Sequence, residues 1–186
     1  RVFCAAYRLA PEHRYPAALD DALESYEYLL GKGYSARQIV LCGESAGGGL
    51  IYALCLKLKE KKLPLPAGLI GISPWTDLTG SGASYQENLD KDPSMTPSLL
   101  KFYAECYTDD VHDPLCSPLF GDLRGLPPSL LFVGGDEVML DDTRQLHEKL
   151  QKSGCRSQLV VAPERWHAYV LYGLEENKSD IDAIRQ

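Results

Sequence analysis

Gln38-Ile39-Val40-Leu41-Cys42-Gly43-Glu44-Ser45-Ala46-Gly47-Gly48 joins an apolar run to a run with helical spacing, with one serine between them. Residues 38–42 read as a strand, and the run from Gly48 to about Lys62 reads as a helix. The glycines of Gly43-Glu44-Ser45-Ala46-Gly47 let strand and helix cross closely, so Ser45 stands at the apex of a sharp turn. Ala46 then has a backbone N–H at a helix start, where developing negative charge is favoured.

Working outward, residues 2–8 read as a buried strand ended by Pro11. Pro16 opens a helix in its first turn, with Leu19, Leu23, Tyr26 and Leu30 on one face and acids between them. Leu50, Leu54 and Leu58 mark the inner face of the helix after Ser45, which Pro64 and Pro66 end. Further strands read at residues 67–73, 129–133 and 157–162, with a helix from about Leu140 to Ser153. From 79 to 118, Gly, Ser, Asn, Asp and Pro dominate around one helix, Pro97 to about Tyr107, with Thr96 as its N-cap. That stretch has too little periodicity for core and reads as a lid insertion in a single domain spanning 1–186. Strands alternating with helices predict an α/β protein with a mostly parallel sheet covered on both faces.

The 186 residues carry a net charge of −7, with 45% apolar and 24% charged side chains. That excludes a nucleic-acid binder and gives no membrane signal; no stretch is long enough to span a bilayer. The six cysteines show no metal spacing, and Cys4, Cys42 and Cys55 read as small buried residues. Reduced thiols fit a cytoplasmic protein. A homodimer is compatible with this reading.

A serine nucleophile needs a base, and the base needs an orienting acid. His13 reads as a loop or surface residue, His112 sits in the insertion, and His147 reads as solvated in mid-helix. His167 alone follows the last strand in a loop, at the sheet edge where Ser45, Trp75 and Asp136 also fall. Asp136 comes first after the 129–133 strand and a Gly pair, and is the leading acid. Glu137 is the fallback. Asp141 and Asp142 read as first-turn acids that suit a helix dipole. Trp75 reads as a lining of the acyl pocket or as core, and Tyr85, Met95, Phe102, Tyr103 and Tyr107 as an apolar lid underside.

The chain resembles the hormone-sensitive-lipase-like family of α/β-hydrolases. The residues that carry the likeness are Tyr7-Arg8-Leu9-Ala10-Pro11-Glu12, Pro16-Ala17-Ala18, Gly43-Glu44-Ser45-Ala46-Gly47-Gly48, Ser73-Pro74, Asp77-Leu78, Gly135-Asp136 and His167. The resemblance implies an α/β-hydrolase fold, with Ser45 as nucleophile, Asp136 as acid, His167 as base and Ala46 N–H as an oxyanion donor. It implies hydrolysis of short- to medium-chain acyl esters through an acyl-enzyme, with no metal or organic cofactor. Glu44 stands where many members carry aspartate. The family's His-Gly-Gly-Gly loop, which supplies further oxyanion donors, has no counterpart here. The expectation is therefore an N-terminally truncated esterase, unstable and poorly active alone. Two alternatives stand beside it: a non-catalytic small-molecule binder of the same fold, and an amidase or deacetylase of small acyl groups.

Overall fold

The computed structural model describes residues 1–185. Its centre is a parallel sheet of β1 (Val40–Glu44), β2 (Gly68–Ile72), β3 (Ser129–Gly134) and β4 (Ser157–Ala162), in that order. Parallel neighbours require crossovers, and helices supply them. The helix α2 (Ala46–Glu60) joins β1 to β2, and α5 (Leu140–Lys152) joins β3 to β4. Alternate strand residues face opposite layers. Leu69, Leu131 and Leu159 meet Tyr52, Cys55, Leu146 and Leu150 of α2 and α5. Ile70, Ile72, Leu130, Phe132 and Val160 meet Tyr169, Val170 and residues of α6 (Lys178–Arg185) on the other face. The helix α1 (Ala17–Gly31) packs outside α2 through Leu19, Leu23 and Tyr26 against Ala53, Leu54 and Leu58.

One expected strand does not form. Residues 2–8 are irregular, and Val2 is 98% exposed. The physical reason is the lack of a neighbour: β1 pairs with β2 alone among the described residues. The segment lies along α1 instead. Arg8 donates to Asp21 through its backbone N at 2.8 Å and Nε at 2.9 Å, and Phe3 stacks on Tyr28. Cys4 and Cys42 are accordingly exposed rather than buried; Cys55 is buried. Pro16 stands at the N-cap of α1, one residue earlier than expected.

The turn at Ser45 is sharper than its pattern suggests. The helix α2 begins at Ala46, directly after the serine, whose φ of 52° and ψ of −120° lie outside ordinary strand and helix. Gly43 is obligatory: a Cβ there would overlap the Gly47 carbonyl. Gly47 is not crowded, since a Cβ would meet only Tyr7 Oη at 3.8 Å. The next two residues are crowded instead: a Cβ at Gly48 would lie 2.7 Å from Pro74 Cα, and one at Gly49 would overlap the Trp75 carbonyl oxygen.

The 79–118 stretch holds more core than its composition suggests. It contains α3 (Ser84–Glu87) and α4 (Pro97–Tyr107), and Thr96 Oγ1 caps α4 by accepting from Leu99 N at 3.2 Å. Tyr85, Leu100, Ala104 and Cys116 pack with Trp75, Leu78, Val138 and Met139. Asp141 and Asp142 do more than face a helix dipole. Asp141 Oδ2 accepts from Ser84 N at 3.0 Å. Asp142 is 1% exposed, and its Oδ2 accepts from Thr76 N at 3.1 Å and Asp77 N at 3.0 Å. Burial pushes its carboxyl up to about 8; the two N–H bonds oppose this and the Asp77 charge adds to it.

Two outcomes are expected. An acid held protonated by the fold contributes stability below its ordinary pKa of about 4, lost as pH rises through about 8. Asp142→Asn keeps an acceptor for both N–H groups, so thermal unfolding should show little change at pH 4 and a Tm above wild type at pH 9. A lower Tm than wild type at pH 9 would contradict this. In denaturant unfolding, Gly43→Ala should cost about 3 kcal/mol or more, whereas Gly47→Ala should be neutral or gain roughly 0.5 kcal/mol. Equal costs would contradict the turn geometry.

Candidate active site

The ends of β2 and β3 and the loop after β4 converge on one buried carboxylate, that of Glu137, which is 0% exposed. Its Oε1 accepts from Ser73 Oγ and from Gly134 N, each at 2.6 Å. Its Oε2 lies 3.0 Å from His167 Nδ1. Ser73 Oγ also accepts from Ala168 N at 3.0 Å, so one hydroxyl ties β2 to both the acid and the histidine loop. The insertion braces the same loop from outside. Asn88 Nδ2 donates to Gly135 O at 3.1 Å and Glu137 O at 2.9 Å, and Asp92 Oδ2 accepts from Val138 N at 3.0 Å.

The expectation that Asp136 sits against His167 is therefore corrected: Glu137 occupies that place. Asp136 N donates to Arg165 O at 3.0 Å, which turns the chain at the end of β3. The Asp136 carboxylate is left partly exposed and accepts no hydrogen bond among the described residues. The next residue is directed inward, and its longer side chain reaches the ring. Two neighbouring acids after a strand look alike in sequence; the direction of the turn separates them.

His167 is 5% exposed, and its Nε2 makes no hydrogen bond among the described residues. Glu44 Oε1 lies 3.3 Å from that atom, within ion-pair range but misaligned for a hydrogen bond. Burial is the largest influence on the ring and lowers its pKa. The hydrogen bond to Glu137 and the close approach of Glu44, with the charges of both carboxylates, together outweigh burial and push it up to about 9. The other histidines lie elsewhere. His13 and His112 are exposed, and His147 is partly buried rather than solvated, its Nδ1 2.8 Å from Ser157 Oγ.

Ser45 is partly buried at its turn, and Ala46 is exposed at the first position of α2. An apolar pocket of about 260 Å³ opens beside Ala46, lined by Tyr7, Leu50, Trp75, Tyr107 and Cys116 among others. Trp75 thus lines a pocket while only 7% exposed, so pocket wall and core describe the same side chain. Of the aromatics expected under the lid, Tyr103 and Tyr107 face this pocket and Tyr85 is buried. Phe102 is 57% exposed and points outward. Ser73, Glu44, Asn88 and Asp92 carry no sequence signal for these contacts beyond their places at strand ends and turns.

Residues 1–171 match the alpha/beta hydrolase fold family. An acetyl-hydrolase of Streptomyces hygroscopicus is 40% identical over 174 residues, covering 92% of this chain and 58% of that protein. An esterase of Acinetobacter venetianus is 37% identical, covering 89% of this chain and 56% of that protein. The crystal structure of an esterase from the bacterial hormone-sensitive lipase family superposes with a TM-score of 0.94 at 39% identity, covering 96% of this chain and 62% of that one. The chain thus spans somewhat over half the length of these relatives. No described helix is long and apolar enough to cross a membrane. With its parallel sheet and its Gly43–Gly47 turn, the chain belongs to the α/β-hydrolase fold family, and it is similar to an esterase of the bacterial hormone-sensitive lipase family.

Proposed function

We propose that this chain carries the triad of a serine carboxylesterase acting on short- to medium-chain acyl esters, with Ser45 as nucleophile, His167 as base and Glu137 as acid. The observation that carries the reading is the 3.0 Å approach of His167 Nδ1 to a buried carboxylate, with Glu44, the residue before the strained Ser45 turn, 3.3 Å from the other ring nitrogen.

In this mechanism His167 Nε2 takes the proton of Ser45 Oγ as the oxygen bonds to the ester carbonyl carbon. Glu137 Oε2 accepts the Nδ1 proton, fixes the tautomer and stabilises the imidazolium. Ala46 N–H donates to the carbonyl oxygen as it gains charge. The imidazolium then protonates the alkoxy oxygen, the C–O bond breaks, and the alcohol leaves an acyl-Ser45. Water, deprotonated by the neutral ring, attacks the acyl carbon; the bond from that carbon to Ser45 Oγ breaks as the imidazolium returns its proton to Oγ, and the acid leaves. The apolar pocket beside Ala46 suits the acyl chain. Its volume of about 260 Å³ lies below the usual range of drug-sized sites, which favours small acyl groups. The name of the Streptomyces relative, an acetyl-hydrolase, points the same way. The base His167 is retained, which favours an enzyme over a non-catalytic binder.

A fluorophosphonate should label Ser45, and Ser45→Ala should abolish labelling. Glu137→Gln keeps acceptors for Ser73 and Gly134 but presents an amide N–H to His167 Nδ1 in place of an acceptor, which reverses the required tautomer. It should lower the turnover of p-nitrophenyl acetate by about 10⁴-fold, and Asp136→Asn by less than about tenfold. A large loss in Asp136→Asn with a small one in Glu137→Gln would overturn the assignment of the acid.

A further inference from the structure

Glu44, the variable residue of the serine turn, is placed where the reaction would need free space. Its Oε1 lies 3.3 Å from His167 Nε2, the nitrogen that must face Ser45 Oγ. The Glu44 carboxylate accepts no hydrogen bond among the described residues, and its side chain is 40% exposed. No fold-building partner accounts for its position. Nε2 is buried without a hydrogen-bond partner, so a protonated ring has Glu44 as its nearest counter-charge on that edge.

We propose that Glu44 is a positioning residue for His167: its carboxylate holds the protonated ring by the Nε2 edge, turned from Ser45, and sets the pH at which the base is freed. The inference rests on the reading of Ser45 and His167 as nucleophile and base. The charged and titratable groups around the ring come from four elements. Glu44 comes from the end of β1, and Glu137 from the loop after β3. Tyr7, from the irregular N-terminal segment, faces Glu44, whose charge adds to burial in raising the phenol's pKa. Tyr169, beyond the ring, feels Glu137 and Arg165 and donates to Asp180 Oδ2 at 2.8 Å, while Arg165 pairs with Glu176 at 2.8 Å. Of these, Glu44 alone approaches Nε2. A ring between two carboxylates keeps its proton to higher pH than a ring held by one, which agrees with the rise to about 9.

The sign follows. Below the midpoint, the imidazolium is clamped between Glu137 and Glu44 and cannot accept the Ser45 proton. Above it, the neutral ring no longer attracts Glu44, and Nε2 is free to accept.

The test compares wild type, Glu44→Gln and Glu44→Asp by two readouts: the NMR titration of the His167 ring and the pH dependence of Ser45 labelling by a fluorophosphonate. Glu44→Gln should move both midpoints to lower pH by about one pH unit. Labelling at pH 7 should then be roughly tenfold faster than in wild type, with equal rates well above both midpoints. Glu44→Asp withdraws the carboxylate by one methylene and should move both midpoints the same way by less. An unchanged His167 midpoint in Glu44→Gln would overturn the proposal, since a merely structural role would leave it in place. If none of the three proteins is labelled, the nucleophile reading fails, and the ring titration still decides whether Glu44 controls His167.

Discussion

A single buried carboxylate holds this sheet edge together. Glu137 is wholly out of water, and a charge there is tolerable only if its lone pairs are used. They are used by groups from three places far apart in sequence: Ser73 after β2, Gly134 at the end of β3 and His167 after β4. Removing any one leaves a buried charge short of a partner. That requirement explains why these loops take the paths they do.

The paths are costly locally. Ser45, Ser73 and Ala168 all have positive φ, at 52°, 47° and 57°, where L-residues with a Cβ are rarely found. Each such residue costs on the order of 1–3 kcal/mol and persists only where its surroundings enforce it. Here the enforcement is visible. Ser45 O accepts from Trp75 N at 2.9 Å and from Gly49 N at 3.1 Å, and Ser73 Oγ bridges Glu137 and Ala168 N. The insertion adds a second layer of support, since Asn88 and Asp92 bind the backbone on either side of Glu137. A segment that looks like a cover in sequence is also a buttress for the site.

Much of the fold was legible because it rests on local periodicity. The strand at 157–162, the capped helix from Pro97 and the strand–turn–helix around Ser45 all follow from spacing and end signals. The strand expected at 2–8 did not form, because a strand is a statement about neighbours, and apolarity alone does not provide one. The site was legible as a set of loops and less so as a set of contacts. Ser45 and His167 stand out by place. Whether Asp136 or Glu137 meets the ring depends on the Asp136 N to Arg165 O bond, a contact across 29 residues that no local pattern carries. Asp142 was hidden for the same reason: a first-turn acid on α5 looks the same in sequence whether it faces water or two backbone N–H groups.

The central claim is that Glu137 orients His167. It is tested most directly by the downfield proton resonance of a ring Nδ1–H held by a carboxylate. The account predicts that this resonance is present in wild type and in Asp136→Asn and is lost in Glu137→Gln. Its survival in Glu137→Gln with loss in Asp136→Asn would contradict it.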